Sequence, residues 1–171
     1  MNKNIKINNN IKNLKRDGFL IIDDLLKPKE CNKYKNDLKN IYNKFKGKKI
    51  IEGEKYGQVI IRDLVLIQPD SFINLIDHKI IYKIAELIFN DEFILENIMA
   101  SNSINVNKKY KRIAHIDGHI PVDDVKNTTD LVAIICLDDF TKENGATKIW
   151  PKSHLSGIQI HKNKLKDQLI K

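Results

Sequence analysis

The residues with the clearest capacity for chemistry are His115 and Asp117, which stand two positions apart in the chain. On an extended strand, side chains at positions i and i+2 project from the same face, so this pair would point in one direction. A neutral imidazole and a carboxylate are two members of the 2-His-1-carboxylate triad, which binds non-haem iron(II) and leaves coordination positions open. A His-x-Asp pair is short enough to arise by chance, so whether it binds a metal ion must be judged from the rest of the chain.

A second segment with unusual content runs from residue 137 to residue 154. It contains Leu137-Asp138, then Glu143-Asn144-Gly145-Ala146, and finally Pro151-Lys152-Ser153-His154. This order resembles the phytanoyl-CoA dioxygenase family of iron(II)- and 2-oxoglutarate-dependent oxygenases. In that family a Leu-Asp-Asp strand end precedes Glu-Asn-Gly and Pro-Gly-Ser-His. Lys152 departs from the pattern, because the family usually has Gly at that position.

The amino-terminal half resembles the same family at Asp17-Gly18-Phe19, at Glu30-Cys31 and over 72–88. The resemblance therefore covers nearly the whole chain in the expected order. It implies that His115 and Asp117 bind iron(II), that 2-oxoglutarate is the cosubstrate, and that the protein hydroxylates a small organic substrate. It also argues against a halogenase, because halogenating relatives have a small residue in place of Asp117.

The resemblance further implies a second His on a late strand, followed by an Arg that anchors the far carboxylate of 2-oxoglutarate. After the Ser-His element the sequence supplies only His161 and no Arg. His154 and His161 are therefore weak candidates for the third iron ligand, and the family's counterpart of His154 belongs to a structural loop. We expect the C-terminal part of the domain to be incomplete, which leaves an inactive fragment or pseudoenzyme as an alternative to an active oxygenase.

Several other polar positions have simpler interpretations. We expect His78 at the start of a helix and Asp123-Asp124 and Asp138-Asp139 in turns. Trp150 is expected in the core or in the wall of a pocket. Asn102 and Asn105 precede the His-x-Asp pair in a predicted strand region, but no spacing assigns either of them to the cosubstrate. The residues that bind 2-oxoglutarate therefore remain unassigned.

The elements that must position these residues are helices first and strands afterwards. Apolar residues at helical spacing predict a helix that opens at Pro28 and ends at Gly47, and another over 80–88 with Asp77 as its N-cap. Shorter helices are predicted over 11–16, ending at Gly18, and from Pro69 onward. The predicted strands are 19–22, 59–67, 93–99, 101–107, 111–117, 130–138 and 146–150.

This order indicates an α+β fold, with N-terminal helices packed on an antiparallel sandwich or barrel. The resemblance implies that the barrel is a double-stranded β-helix of the jelly-roll or cupin-like kind, incomplete at its C-terminal end. We expect one domain over residues 1–171, with residues 1–10 as a flexible polar tail.

The 171 residues include 30 Lys and Arg against 22 Asp and Glu, a net charge of +8. The basic residues are nearly all Lys and are spread along the chain among Asn and Ile, which is typical of solvated faces. We therefore expect a small-molecule substrate and no nucleic-acid partner, with a small basic binding module as a further alternative function. The sequence gives no indication of oligomeric state.

The absence of apparent targeting signals and the small number of cysteines indicate the same cellular compartment. No run approaches the roughly 18 apolar residues of a membrane span, and no secretory signal is apparent. The residues Leu169-Ile170-Lys171 are not a peroxisomal signal. Cys31 and Cys136 do not make a disulfide framework, and we predict both to be reduced and buried. These features indicate a cytoplasmic protein.

Overall fold

The computed structural model describes residues 3–53, 57–90, 92–103, 115 and 128–155. Within these ranges it has five α-helices, a small antiparallel sheet and one 3-10 helix. In chain order the elements are α1 (Lys3–Asp17), α2 (Pro28–Phe45), β1 (Ile51–Glu52), β2 (Gln58–Ile61), α3 (Leu64–Ile67), α4 (Pro69–Ile76), α5 (Lys79–Phe89), β3 (Ala100–Ser103) and the 3-10 helix Ser153–Leu155.

The sheet has the order β1-β2-β3, with both neighbouring pairs antiparallel. Ile61 at the end of β2 lies opposite Ile51 on one side and Ala100 on the other. Gly53, at the end of β1, has φ +81°, and a Cβ there would lie 2.9 Å from the carbonyl oxygen of Gln58. The tight connection between β1 and β2 therefore requires glycine at this position.

The hydrophobic core lies where α2, the sheet, α3 and α4 meet. Its buried members are Tyr34, Ile41, Ile51, Val59, Ile61, Leu64 and Phe72. Phe72 is only 1% exposed, and its ring stacks on Tyr34 with 5.9 Å between the centroids. Burial raises the pKa of Tyr34, with further contributions from Glu30 and Asp37. Leu137, far along the chain, packs against the same core.

Several of the predicted helices are confirmed. Helix α2 begins at Pro28, and the Glu30 carboxylate accepts a hydrogen bond from the backbone N–H of Lys27 at 2.8 Å, which satisfies one exposed donor of the first turn. Helix α4 begins at Pro69, and α5 spans the predicted 80–88. Gly18 follows α1 with φ +83°, and its N–H donates to the Leu14 carbonyl at 2.8 Å, as expected of a C′ glycine.

The amino-terminal half also differs from the prediction in four places. Helix α1 begins at Lys3, so most of the predicted polar tail is helical. Residues 19–22 form no strand, and β1 lies at Ile51–Glu52, where no strand is predicted. The predicted strand 59–67 is divided into β2 and α3. A short apolar run fits both a strand and a buried turn of helix, so the period alone does not separate the two.

The later predicted strands are confirmed only in β3, which covers part of 101–107. Residues 93–99 and 130–138 form no strand, and 146–150 contributes one isolated bridge, at Lys148. The described part of the chain is thus a mixed arrangement of helices and a small antiparallel sheet, and it does not form the predicted double-stranded β-helix. An apolar run predicts a strand but does not identify its partner, and Val132 and Ile134 stay more than half exposed without one. Predicted strand positions 104–114 and 116–117 lie outside the described residues.

No helix in these described ranges has the length and apolar character needed to cross a bilayer. The prediction of one domain over 1–171 remains a prediction.

Candidate metal centre

His115 is the member of the predicted iron-binding pair that the structure describes, and its side chain is exposed. Asp117 lies outside the described residues, as do His161, Asp123-Asp124 and Asn105. Across the described ranges, no group of three or more His, Cys, Asp or Glu side chains is arranged to hold a metal ion. In donor chemistry, an imidazole and a carboxylate fit iron(II), and they supply two of the three protein ligands that such a site needs.

His154 is held at the end of α1 by the fold, which assigns it a structural role. Its Nε2 lies 3.0 Å from the carbonyl oxygen of Lys15. Because a carbonyl only accepts, Nε2 must donate this hydrogen bond. The other face of the ring lies against Gly18, where an added Cβ would be 2.9 Å from Cε1 and closer still to Nδ1. One ring nitrogen therefore donates to Lys15 and the other lies beside Gly18, so His154 is a poor candidate for the third ligand although the residue itself is exposed.

The turn before His154 reinforces the same contact. The backbone N–H of Lys152 donates to the carbonyl of Asp17 at 2.8 Å, so two carbonyls at the end of α1 receive donors from this turn. Lys152 has φ +64°, a left-handed conformation that favours glycine. This conformation explains why the family pattern has Gly at the position where this chain has Lys. The turn keeps its shape at the cost of local strain.

Asp17 is the charged residue at this junction. Its side chain accepts hydrogen bonds from Arg16, including one from Nε at 2.8 Å. That interaction, together with the positive charges of Lys152 and His154, lowers the pKa of the Asp17 carboxyl. Arg16, Lys152 and His154 therefore favour the charged form of the Asp17 carboxyl at the point where α1 meets the 151–155 turn.

The Glu-Asn-Gly segment forms a closed turn built around Asn144. Its Oδ1 accepts from the backbone N–H of Thr141 at 2.8 Å, and its own N–H donates to the Thr141 hydroxyl at 3.3 Å. Its Nδ2 donates to the carbonyl of Asp139, and Ala146 N–H donates to Thr141 carbonyl at 2.9 Å. Gly145 completes the turn with φ +90°. The side chain of Asn144 therefore shapes this part of the chain.

The segment before this turn contacts α2. The Asp138 carboxylate accepts a hydrogen bond from Nζ of Lys35 at 2.9 Å. Both side chains are substantially exposed, so this ion pair contributes little stability by itself. Since Leu137 packs on the core beside it, the pair fixes where the 131–138 segment crosses α2.

Four further residues can be compared with their predicted roles. His78 stands at the start of α5, as predicted, and its buried Nδ1 has no hydrogen-bond partner among the described residues. The prediction of Asp77 as the N-cap of α5 is wrong, because His78 is the N-cap and Asp77 is the C-cap of α4, where its backbone N–H donates to the Ile73 carbonyl. Trp150 is half-buried. The prediction of a buried thiol is wrong for Cys136, which is exposed because its segment pairs with no strand in the described part of the chain.

The family model for phytanoyl-CoA dioxygenase (PhyH) matches residues 14–170, which is nearly the whole chain. The chain belongs to this family, and the resemblance predicted from its motifs is confirmed. The family has a cupin-like fold, and its members generally depend on iron(II) and 2-oxoglutarate. No curated protein and no solved structure gives a significant match to the chain.

Proposed function

We propose that this protein is an iron(II)- and 2-oxoglutarate-dependent dioxygenase that hydroxylates a small organic substrate. The observation that carries the proposal is the family match over residues 14–170, which contains His115-x-Asp117 and the later Ser-His turn in one continuous alignment. The imidazole of His115 is exposed and therefore accessible to a metal ion.

In the proposed site, His115 and Asp117 bind iron(II) through an imidazole nitrogen and a carboxylate oxygen. Iron(II) with 2-oxoglutarate supplies an oxidative decarboxylation that drives oxygen transfer to a C–H bond. The balance is one dioxygen, one 2-oxoglutarate and one substrate giving succinate, carbon dioxide and a hydroxylated product. The protein would hold both organic molecules in a cavity that excludes water, within the double-stranded β-helix that the family resemblance implies.

The described residues contribute to this function as supports. Lys35–Asp138 attaches residues 137–155 to α2 and the His154 contact attaches them to α1, while the Asn144 turn shapes the chain between these two points. A site built on segments fixed in this way keeps its ligands within narrow limits of position. Because His154 has a structural role, the third ligand is proposed to be another histidine, with His161 as a candidate.

The cytoplasm is the compartment that we propose for this activity. Cys31 and Cys136 are both free thiols. Cytosolic reductants keep such thiols reduced, whereas an oxidising compartment favours their oxidation.

The proposal is tested by measuring succinate formed from 2-oxoglutarate with iron(II) and dioxygen, a turnover that does not require the unknown substrate. We expect succinate to depend on added iron and to fall to background in Asp117→Ala, because the carboxylate ligand is lost. Asp139→Ala is the matched control, since its exposed carboxylate makes none of the described contacts and only its carbonyl does. Equal rates for Asp117→Ala and the parent would refute the site, and iron-independent or absent turnover would refute the activity.

A further inference from the structure

The end of α2 carries an unbalanced concentration of positive charge. Lys44, Lys46, Lys48 and Lys49 stand within six residues, and no Asp or Glu occurs from residue 38 to residue 51. All four side chains are exposed. This group, called the lysine turn below, is therefore a local excess of charge and not a mixed solvated face.

Two aromatic rings hold three of these ammonium groups together. The Nζ atoms of Lys44 and Lys48 lie 5.2 and 5.6 Å from the ring centroid of Phe45, and Nζ of Lys46 lies 5.7 Å from that of Tyr42. The first two nitrogens are therefore at most 10.8 Å apart, the sum of their distances to one centroid. Cation–π attraction favours these positions of the three ammonium groups over the two rings.

No carboxylate among the described residues neutralises the lysine turn. The ion pairs of these residues are Arg16–Asp17, Lys35–Asp138, Arg62–Glu52 and Lys83–Glu86. Glu52, the first acidic residue after the turn, is thus engaged by Arg62 at 3.0 Å. Clustered charges of one sign without compensation attract a partner of the opposite sign.

We propose that the lysine turn binds the phosphate backbone of a nucleic acid without base selectivity. Lysine ammonium groups contact phosphates as point charges, and such contacts position a nucleic acid without reading its sequence. Tyr42 and Phe45 pack against the core beneath the lysines, so they do not serve as stacking platforms for unpaired bases.

An anionic membrane fits the lysine turn less well than a nucleic acid. Surface helices that bind lipid present apolar side chains beside their lysines for insertion among the acyl chains. The two rings of the lysine turn are instead turned to the core and covered by ammonium groups. The inference goes beyond the proposed oxygenase activity, does not depend on it, and revises the expectation that the chain has no nucleic-acid partner.

The test measures binding of the full chain to a fluorescent mixed-sequence DNA duplex over a range of salt concentrations. Each phosphate contact that is lost lowers the slope of log K against log salt by about 0.9. In the triple variant Lys44→Gln, Lys46→Gln, Lys48→Gln we therefore expect the slope to fall by about 2.7. The corresponding triple Arg variant keeps the charges and is expected to keep the parent slope, and circular dichroism checks that both variants fold.

The matched control is Lys29→Gln, Lys83→Gln, Lys142→Gln, which also lowers the net charge by three from +8 but affects three separate exposed sites. We expect its slope to stay close to that of the parent. Equal losses in the two Gln variants would refute the inference, because total charge would then explain the binding. It would also be refuted by absence of duplex binding at low salt, or by stronger binding to phosphatidylserine vesicles than to the duplex.

Discussion

Replacing Phe72 with Ala is expected to lower the free energy of unfolding by about 3–5 kcal/mol. Phe72 is 1% exposed and stacks on Tyr34, so truncation removes buried apolar contacts and leaves a cavity between α4 and α2. The surrounding core draws on four elements and the 131–138 segment, so collapse around the cavity is limited. Urea unfolding followed by circular dichroism measures the effect as a lower midpoint with an unchanged slope.

Ile73→Ala is the matched control for this prediction. Ile73 is the next residue on α4 and is 47% exposed, so nearly half of its surface is already in water. We expect a change within about 1 kcal/mol, since little burial is lost and Ala is a good helix former. If the two variants lost similar stability, Phe72 would not be at the centre of the core.

The second large effect is expected for Gly18→Ala, which should lower the free energy of unfolding by about 2–5 kcal/mol. A non-glycine residue at φ +83° costs about 1–2 kcal/mol, and the new Cβ would also collide with the ring of His154. Overpacking of this kind typically costs about 1–3 kcal/mol more. The measurement is again the free energy of unfolding in urea.

A double-mutant cycle separates the two causes at Gly18. His154→Ala alone should cost about 1 kcal/mol, because it removes the hydrogen bond to the Lys15 carbonyl. In that background the collision is absent, so Gly18→Ala should cost only the backbone strain of about 1–2 kcal/mol. An equal cost of Gly18→Ala in both backgrounds would show that His154 does not pack on Gly18 in solution.

The helices were predictable because their signals are local. Pro28, the apolar spacing along α2 and the C′ position of Gly18 are each read within a few residues of sequence. The longer α1 was missed because its Asn content outweighed Ile7, Ile11 and Leu14, which recur at helical spacing. The strand-to-helix change after Ile61 was missed because the same β-branched run suits both structures.

The candidate site was predictable in its motifs and less so in its contacts. Sequence order identified the family and the structural role of the Ser-His turn, but not its docking partner, since His154 and Lys15 are 139 residues apart. The left-handed Lys152 has one sequence signal, namely that it stands where the family pattern has Gly. The net charge of the whole chain does not indicate the lysine turn. The turn is defined by the positions of its ammonium groups over two aromatic rings, and those positions are known only from the fold.

The binding of iron at His115 and Asp117 is tested most directly by an anaerobic titration of the full chain with iron(II), which does not depend on turnover. Removing a residue that only hydrogen-bonds a metal ligand weakens metal binding by about 10–100-fold. His115→Ala and Asp117→Ala each remove a proposed ligand itself, so each should weaken iron(II) binding by about 10-fold or more. His154→Ala, checked for folding, should bind iron(II) like the parent, because its ring serves α1. Unchanged affinity in His115→Ala and Asp117→Ala, or loss of binding in a folded His154→Ala, would contradict this assignment.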